Sequence, residues 1–347
     1  MEKKAKDTLK LVLSILLAGV LLFFSFRNVN WKDFAACLKT CSWEYIVLGM
    51  VAGALAQYVR GWRWRMILRP IDDSIPFYAS FNGINICMIT NIVFPRVGEL
   101  IRCGFITKHS KKGEDGRKLA SFDKVFGTVL VERGWDIVFC AVLIVLMIVL
   151  MRERFGYFFS DTLGGSLSEK MSIWWIVVLV VLVLAGLVWA VRRFKDRNRF
   201  CGKVYETLQG IGTGLKTSLH MEKGWLFIVY TVLVWICYWM EVYFVLVAVK
   251  GIDPATLSPD MAAPLATLQD LGLVDALFLM FAGSVSSLVP VPGGFGAYHS
   301  VVAGALLSVY GIPFGLGIIF ATLAHESQAV MWIITGIGSY IHEAFHK

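Results

Sequence analysis

The chain has 347 residues, of which 57% are hydrophobic and only 17% charged. Soluble domains carry about 25% charge, so this balance excludes an ordinary soluble enzyme and points to an integral membrane protein. The net charge of +8 fits Lys and Arg gathered in cytoplasmic loops; nucleic acid needs a basic soluble surface, which is not evident here.

In chain order, MEKKAKDTLK precedes apolar residues up to Phe26. With no small-x-small cleavage site, it reads as a retained first span. A helix crossing a bilayer needs about 20 mostly apolar residues. Six segments qualify: 8–26, 45–67, 122–150, 173–191, 224–249 and 314–340. Two further apolar stretches, 75–105 and 271–311, are interrupted by NIVFPRVGELIR (91–102) and SLVPVPGGFGAYH (287–299). Irregular backbone at membrane depth is tolerated only where protein buries it or where it lines a wet cavity. A matching pair of such breaks in two halves points to a transporter's binding site.

Loop charges orient the segments. Lys3, Lys4, Lys6 and Lys10 place the N-terminus in the cytoplasm, as Arg60, Arg63, Arg65 and Arg69 do for the end of the second span. Lys108, Lys111, Lys112, Arg117 and Lys118 follow the first broken segment, so both its flanks are cytoplasmic and it enters and returns. The second is preceded by Asp253, Asp260 and Asp270 with only Lys250 as a base, and reads as entering from outside. The expected fold class is therefore an all-α polytopic membrane protein with six to eight transmembrane helices and two re-entrant hairpins related by an inverted repeat. It forms a single integral membrane domain over 1–347, with halves at about 1–152 and 173–347 and a cytoplasmic linker helix at about 195–222. Eight full spans is the alternative.

Charged groups at membrane depth cost about 2.5–3.5 kcal/mol on insertion scales, so they face protein or water. Arg96, Glu99 and Arg102 flank Pro95, and Glu99 and Arg102 stand three apart on one helical face. A guanidinium grips phosphate bidentately, which suits a lipid headgroup; the plainer alternative is an interfacial anchor and a cap. Glu132, Arg133 and Asp136 form either a buried network or a proton or substrate site. Arg63 and Arg65, between Trp62 and Trp64, read as an interfacial anchor, while Arg60 lies deeper. Pro290, Pro292, Gly293, Gly294 and Gly296 force a turn whose freed amides suit an anion, with His299 just beyond it; a plain helix break is the alternative. Glu241, Asp275, His325 and Glu326 are each weaker signals.

The seven cysteines are scattered without a CxxC pair, so no redox role, metal or other cofactor is expected. His342, Glu343 and His346 spell HExxH, but zinc hydrolysis needs a further protein ligand. GIGTGLKTS (210–218) lacks the Gly-Lys pair of a phosphate-binding loop.

RGWRWRMIL, NIVFPRVGELIR, VLVERGWDIV and VPVPGGFGAYH together resemble the flippase-like transmembrane domain of bacterial lysylphosphatidylglycerol synthases, over nearly the whole chain. The resemblance implies a bacterial inner-membrane protein that moves or binds lipids, and the loop charges and span order make it multi-pass with both termini cytoplasmic. It implies site roles for Asn91, Pro95, Arg96, Gly98, Glu99 and Arg102, for Glu132, Arg133 and Asp136, and for Pro292, Gly293, Gly294 and Gly296. Relatives often carry glutamate where His299 stands. No soluble aminoacyl-transferase or glycosyltransferase domain is evident, so no enzymatic activity is expected. The leading expectation is a flippase that holds an anionic phospholipid or lipid-linked phosphate on Arg96, assisted by Arg102 or Arg133. The alternatives are a membrane-embedded enzyme using Glu132, Asp136 and His299 on lipid phosphates, and a non-catalytic partner of a lipid-modifying enzyme. A homo-oligomer is compatible with each.

Overall fold

The computed structural model describes residues 2–151 except 28 and 115, scattered positions between 182 and 209, and residues 221–345. Most of the expected span at 173–191 and most of the linker helix at 195–222 lie outside the described residues. The chain divides into two compact units, one formed by 1–126 with 232–347 and the other by 127–231.

The described residues are almost entirely helical, with one isolated bridge between Lys112 and Lys118. In the first unit, α1 (Glu2–Phe26) leads into α2 (Trp31–Thr40), then α3 (Trp43–Leu68), α4 (Phe77–Val93) and α5 (Gly98–His109). The chain leaves through α6 (Phe122–Leu150) and returns through α7 (Gly224–Val249). It continues with α8 (Pro259–Gln269), α9 (Leu273–Ser286), α10 (Ala297–Tyr310) and α11 (Phe314–Phe345). Among the described residues, α6, α7 and α11 are long and apolar enough to cross a membrane. The bent pairs α1–α2 and α8–α9 raise the number to five if each counts as one span. The expected span at 45–67 is helical, as α3, but α3 is not among these candidate spans. α11 packs against α3, α4 and α10, and α4 packs against both α3 and α5.

Each broken segment folds as a helical hairpin. The first breaks because Phe94 precedes a proline, which disfavours helical backbone; it is extended, with φ −119° and ψ 101°. Asn91 then closes the turn, its Oδ1 accepting from the Gly98 amide at 2.9 Å. Only glycine fits at position 98, because a Cβ there would collide with the Cys87 carbonyl oxygen of the facing helix. Gly98→Ala is therefore expected to lower stability by about 1–3 kcal/mol, read as a fall in the thermal midpoint of the detergent-purified chain.

The base of this hairpin is tied. Asp72, ahead of α4, accepts from Ser110 Oγ at 2.6 Å and from the Lys111 amide at 3.0 Å, both beyond α5. Burial alone would raise the Asp72 carboxyl; hydrogen bonds from Ser110, Ser74 and the Lys111 amide outweigh it and hold the group below its ordinary value. The second hairpin is tied in the same manner. Asp275 in the first turn of α9 accepts from the Gly272 amide at 2.8 Å and from Tyr310 Oη, at the end of α10, at 2.9 Å.

The stretch 250–270, expected as an external loop, contains the single turn Pro254–Thr256 and α8. Pro259 occupies the first turn of α8, where its missing N–H costs nothing. Ser258 caps the arrangement by donating from its amide and hydroxyl to Asp33 of α2 at 3.0 and 2.7 Å.

Candidate functional site

The two broken segments meet at their tips, within the first unit. α4 packs against the turn Pro292–Gly294 of the second tip. Arg96 Nη2 donates to the Ser287 and Leu288 carbonyls, each at 3.4 Å. These carbonyls belong to the C-terminal end of α9, where backbone acceptors lack helical partners and a cation is favoured. Both bonds are long, and among the described residues Nη2 alone of the Arg96 donors is so engaged. Arg96 is also the only non-glycine among the described residues with positive φ, at 64°. That conformation costs about 1–2 kcal/mol for an L-residue.

Behind the tips lies a cavity of about 410 Å³. Asn91, Pro95 and Arg96 reach it from the first tip, and Ser287, Gly293 and Gly294 from the second. Trp235 and Glu241 of α7, Gln57 of α3, and Gln328 and Trp332 of α11 form its inner wall. Glu241 is 5% exposed. Its Oε2 accepts from Gln328 Nε2 at 3.0 Å, while its Oε1 has no hydrogen-bond partner among the described residues. The same holds for Gln57 Oε1 and for the indole N–H groups of Trp235 and Trp332. A buried carboxylate oxygen without a donor is costly.

The second tip contributes shape and a carbonyl. The Gly294 amide donates to Val291 O at 3.3 Å and the Phe295 amide to Pro292 O at 3.1 Å, so both are engaged within the turn rather than freed for an anion. Gly293 (φ 58°) and Gly294 (φ 81°) occupy left-handed backbone that side chains disfavour. The Gly293 carbonyl accepts from His325 Nε2 at 2.9 Å.

Of the residues singled out in the sequence, Asn91, Pro95, Arg96, Gly293 and Gly294, together with Pro290 and the weaker signals Glu241 and His325, come together at this cavity. Glu99 and Arg102 do not line it. They form an ion pair, Arg102 Nε to Glu99 Oε2 at 2.5 Å, and the fully buried Arg102 guanidinium lies 4.7 Å from the Trp64 ring centroid. Arg102 therefore joins α5 to α3 instead of assisting Arg96. His299 on α10 is fully buried, with Nε2 3.2 Å from Glu326 Oε1. Glu132, Arg133 and Asp136 belong to the other unit, where Arg133 Nη1 lies 3.4 Å from Asp136 Oδ2.

Other readings change too. Arg63 is fully buried, unlike an interfacial anchor, and Arg65 Nε donates to the Ile75 carbonyl at 3.0 Å. Within HExxH, His342 Nδ1 is 3.1 Å from Asn82 Nδ2, and Glu343 pairs with His109 at 3.1 Å; His346 lies outside the described residues. Gln57, Gln328 and Trp332 were not legible as site residues. Their one sequence signal is a polar atom within an apolar helix, which many satisfied core residues share.

The family described as the lysylphosphatidylglycerol synthase TM region matches residues 11–338, a stretch that includes both tips and the cavity wall. No curated protein and no solved structure matches the chain. On a match over nearly its whole length, the chain belongs to the family of lysylphosphatidylglycerol synthase transmembrane regions, and is a multi-pass membrane protein linked to lipid metabolism.

Proposed function

We propose that this protein is a lipid flippase that takes a phospholipid headgroup into the cavity between the two tips. The observation carrying this reading is the pairing, around one cavity of about 410 Å³, of an exposed guanidinium with a buried, incompletely satisfied carboxylate. Arg96 holds the phosphate through donors that its two long backbone bonds leave available. Glu241 takes an ammonium group within the cavity that Trp235 and Trp332 also line. The headgroup best matched to both ends carries a phosphate and a primary amine.

In this reading the α4–α5 and α9–α10 hairpins are re-entrant and related by an inverted repeat, dipping from the cytoplasm and from outside respectively. The tied bases at Asp72 and Asp275 support it, as do the basic flanks of the first and the acidic lead of the second. The protein sits in the bacterial cytoplasmic membrane with both termini inside, and rocking of the halves about the tips exposes the cavity to each face in turn. No bond in the lipid changes.

Topology is checked with single cysteines in a background lacking the native ones. Glu114→Cys is expected to react with an impermeant maleimide only from inside and Ala255→Cys only from outside; both positions are exposed. Reaction of both from one face overturns the opposed hairpins. The headgroup assignment is tested by binding of short-chain lipids to the purified protein. An amino-bearing phospholipid is expected to bind more tightly than one with an uncharged alcohol headgroup, and a neutral diacylglycerol not measurably. Equal binding of all three sinks the assignment.

A further inference from the structure

At the edge of the cavity, which His325 lines and His299 and Glu326 do not, three side chains converge for which the lipid reading has no use. His299 comes from α10, and His325 and Glu326 from α11. His299 Nε2 is 3.2 Å and His325 Nδ1 3.4 Å from the same atom, Glu326 Oε1. One donor atom from each residue lies within 4.8 Å of the other two.

Three features make this more than a polar cluster. First, His299 is fully buried, yet neither ring nitrogen makes a hydrogen bond among the described residues; Nε2 is near Glu326 Oε1 without the angle a hydrogen bond needs. A buried imidazole left in that state is costly. Second, the His325 tautomer is dictated. The Gly293 carbonyl can only accept, so Nε2 at 2.9 Å carries the hydrogen, and in the neutral ring Nδ1 is a lone pair. That lone pair faces a carboxylate oxygen at 3.4 Å, an approach that calls for either a second proton on Nδ1 or a metal cation between the two. Third, a histidine whose second nitrogen donates to a backbone carbonyl has the arrangement that fixes ring orientation in metal sites.

We propose that His299 Nε2, His325 Nδ1 and Glu326 Oε1 bind one divalent transition-metal ion, with zinc the best fit. Two imidazoles and one carboxylate suit a borderline ion better than calcium or magnesium, which prefer all-oxygen shells. Zinc bonds of about 2.0–2.1 Å to nitrogen and oxygen place tetrahedral donors about 3.3 Å apart, close to the 3.2 and 3.4 Å spacings here. Glu326 offsets one of the two charges. The ion ties α10 to α11, and through His325 and the Gly293 carbonyl it sets the position of the second tip. This site stands whether or not a lipid occupies the cavity, and its test needs no transport.

The test is metal content and ligand shell of the full chain, purified without an affinity histidine tag and dialysed against zinc and then against metal-free buffer. About one zinc per chain is expected, with Glu326→Gln and His299→Asn each lowering affinity about tenfold or more. His342→Ala should leave it unchanged. Because a variant can fail to fold, X-ray absorption at the zinc edge of the wild-type protein gives a separate reading, and a shell of two imidazoles with oxygen is expected. Absence of stoichiometric zinc, sulfur in its shell, or full zinc retention in well-folded Glu326→Gln and His299→Asn overturns the site.

Discussion

Arg96→Ala is expected to weaken binding of a phosphate-bearing lipid about 10- to 100-fold, the loss that goes with a charge-assisted hydrogen bond of about 1.5–3 kcal/mol. The reason is the side chain's position at the point where the two tips touch, held among the described residues by two bonds of 3.4 Å. Arg96→Lys retains the charge but loses the planar fork, and should recover only part of the affinity. Arg96→Gly separates function from stability. The residue sits at φ 64°, so glycine relieves about 1 kcal/mol of backbone strain that alanine keeps. The glycine variant should therefore bind as poorly as the alanine variant while unfolding at a higher temperature. If it unfolds no later than the alanine variant, the strain assigned to this position is not there. A natural protein that keeps a strained arginine at such a turn gives up stability for what the side chain does.

Glu241→Gln is expected to cost about 2 kcal/mol of affinity for an amino-bearing phospholipid, roughly 30-fold, and little for one without the amine. Glutamine preserves the shape and the contact with Gln328, now 3.0 Å from Oε2, but removes the charge. In the same variant, stability of the unloaded protein should hold or rise, because a buried carboxylate oxygen without a donor is replaced by a neutral group. Isothermal titration with lipids matched in acyl chain and differing in headgroup reads the first effect, and thermal unfolding the second. A parallel loss for both lipids would mean that Glu241 shapes the cavity instead of reading the amine.

Sequence and structure agree most closely where local backbone chemistry decides. Pro95 and the run Pro290 to Gly296 mark the two breaks because proline and glycine act on their immediate neighbours. The turn's closure by Asn91 and the tight approach at Gly98 are also encoded within a few residues. The partners of long side chains are less legible. Glu99 and Arg102 stand three apart on one face, as expected, yet whether that pair faced the site or the core depended on Trp64 of another helix. The cavity wall draws on α3, α7 and α11, far apart in sequence, so Gln57, Glu241 and Gln328 showed only as isolated polar residues in apolar helices. α8 falls in a stretch expected as a loop, although Pro259 stands where proline suits a helix start. The tie between Asp275 and Tyr310 joins residues 35 apart, a pairing no local pattern encodes.

The central claim, that the cavity behind Arg96 carries a headgroup across the membrane, is tested most directly in proteoliposomes with a fluorescent amino-bearing phospholipid in both leaflets. Dithionite quenches the outer leaflet only. With wild-type protein, quenching should proceed beyond the outer half, and with Arg96→Ala at matched reconstitution it should stop near the level of protein-free vesicles. Equal quenching by wild type and Arg96→Ala would contradict the account.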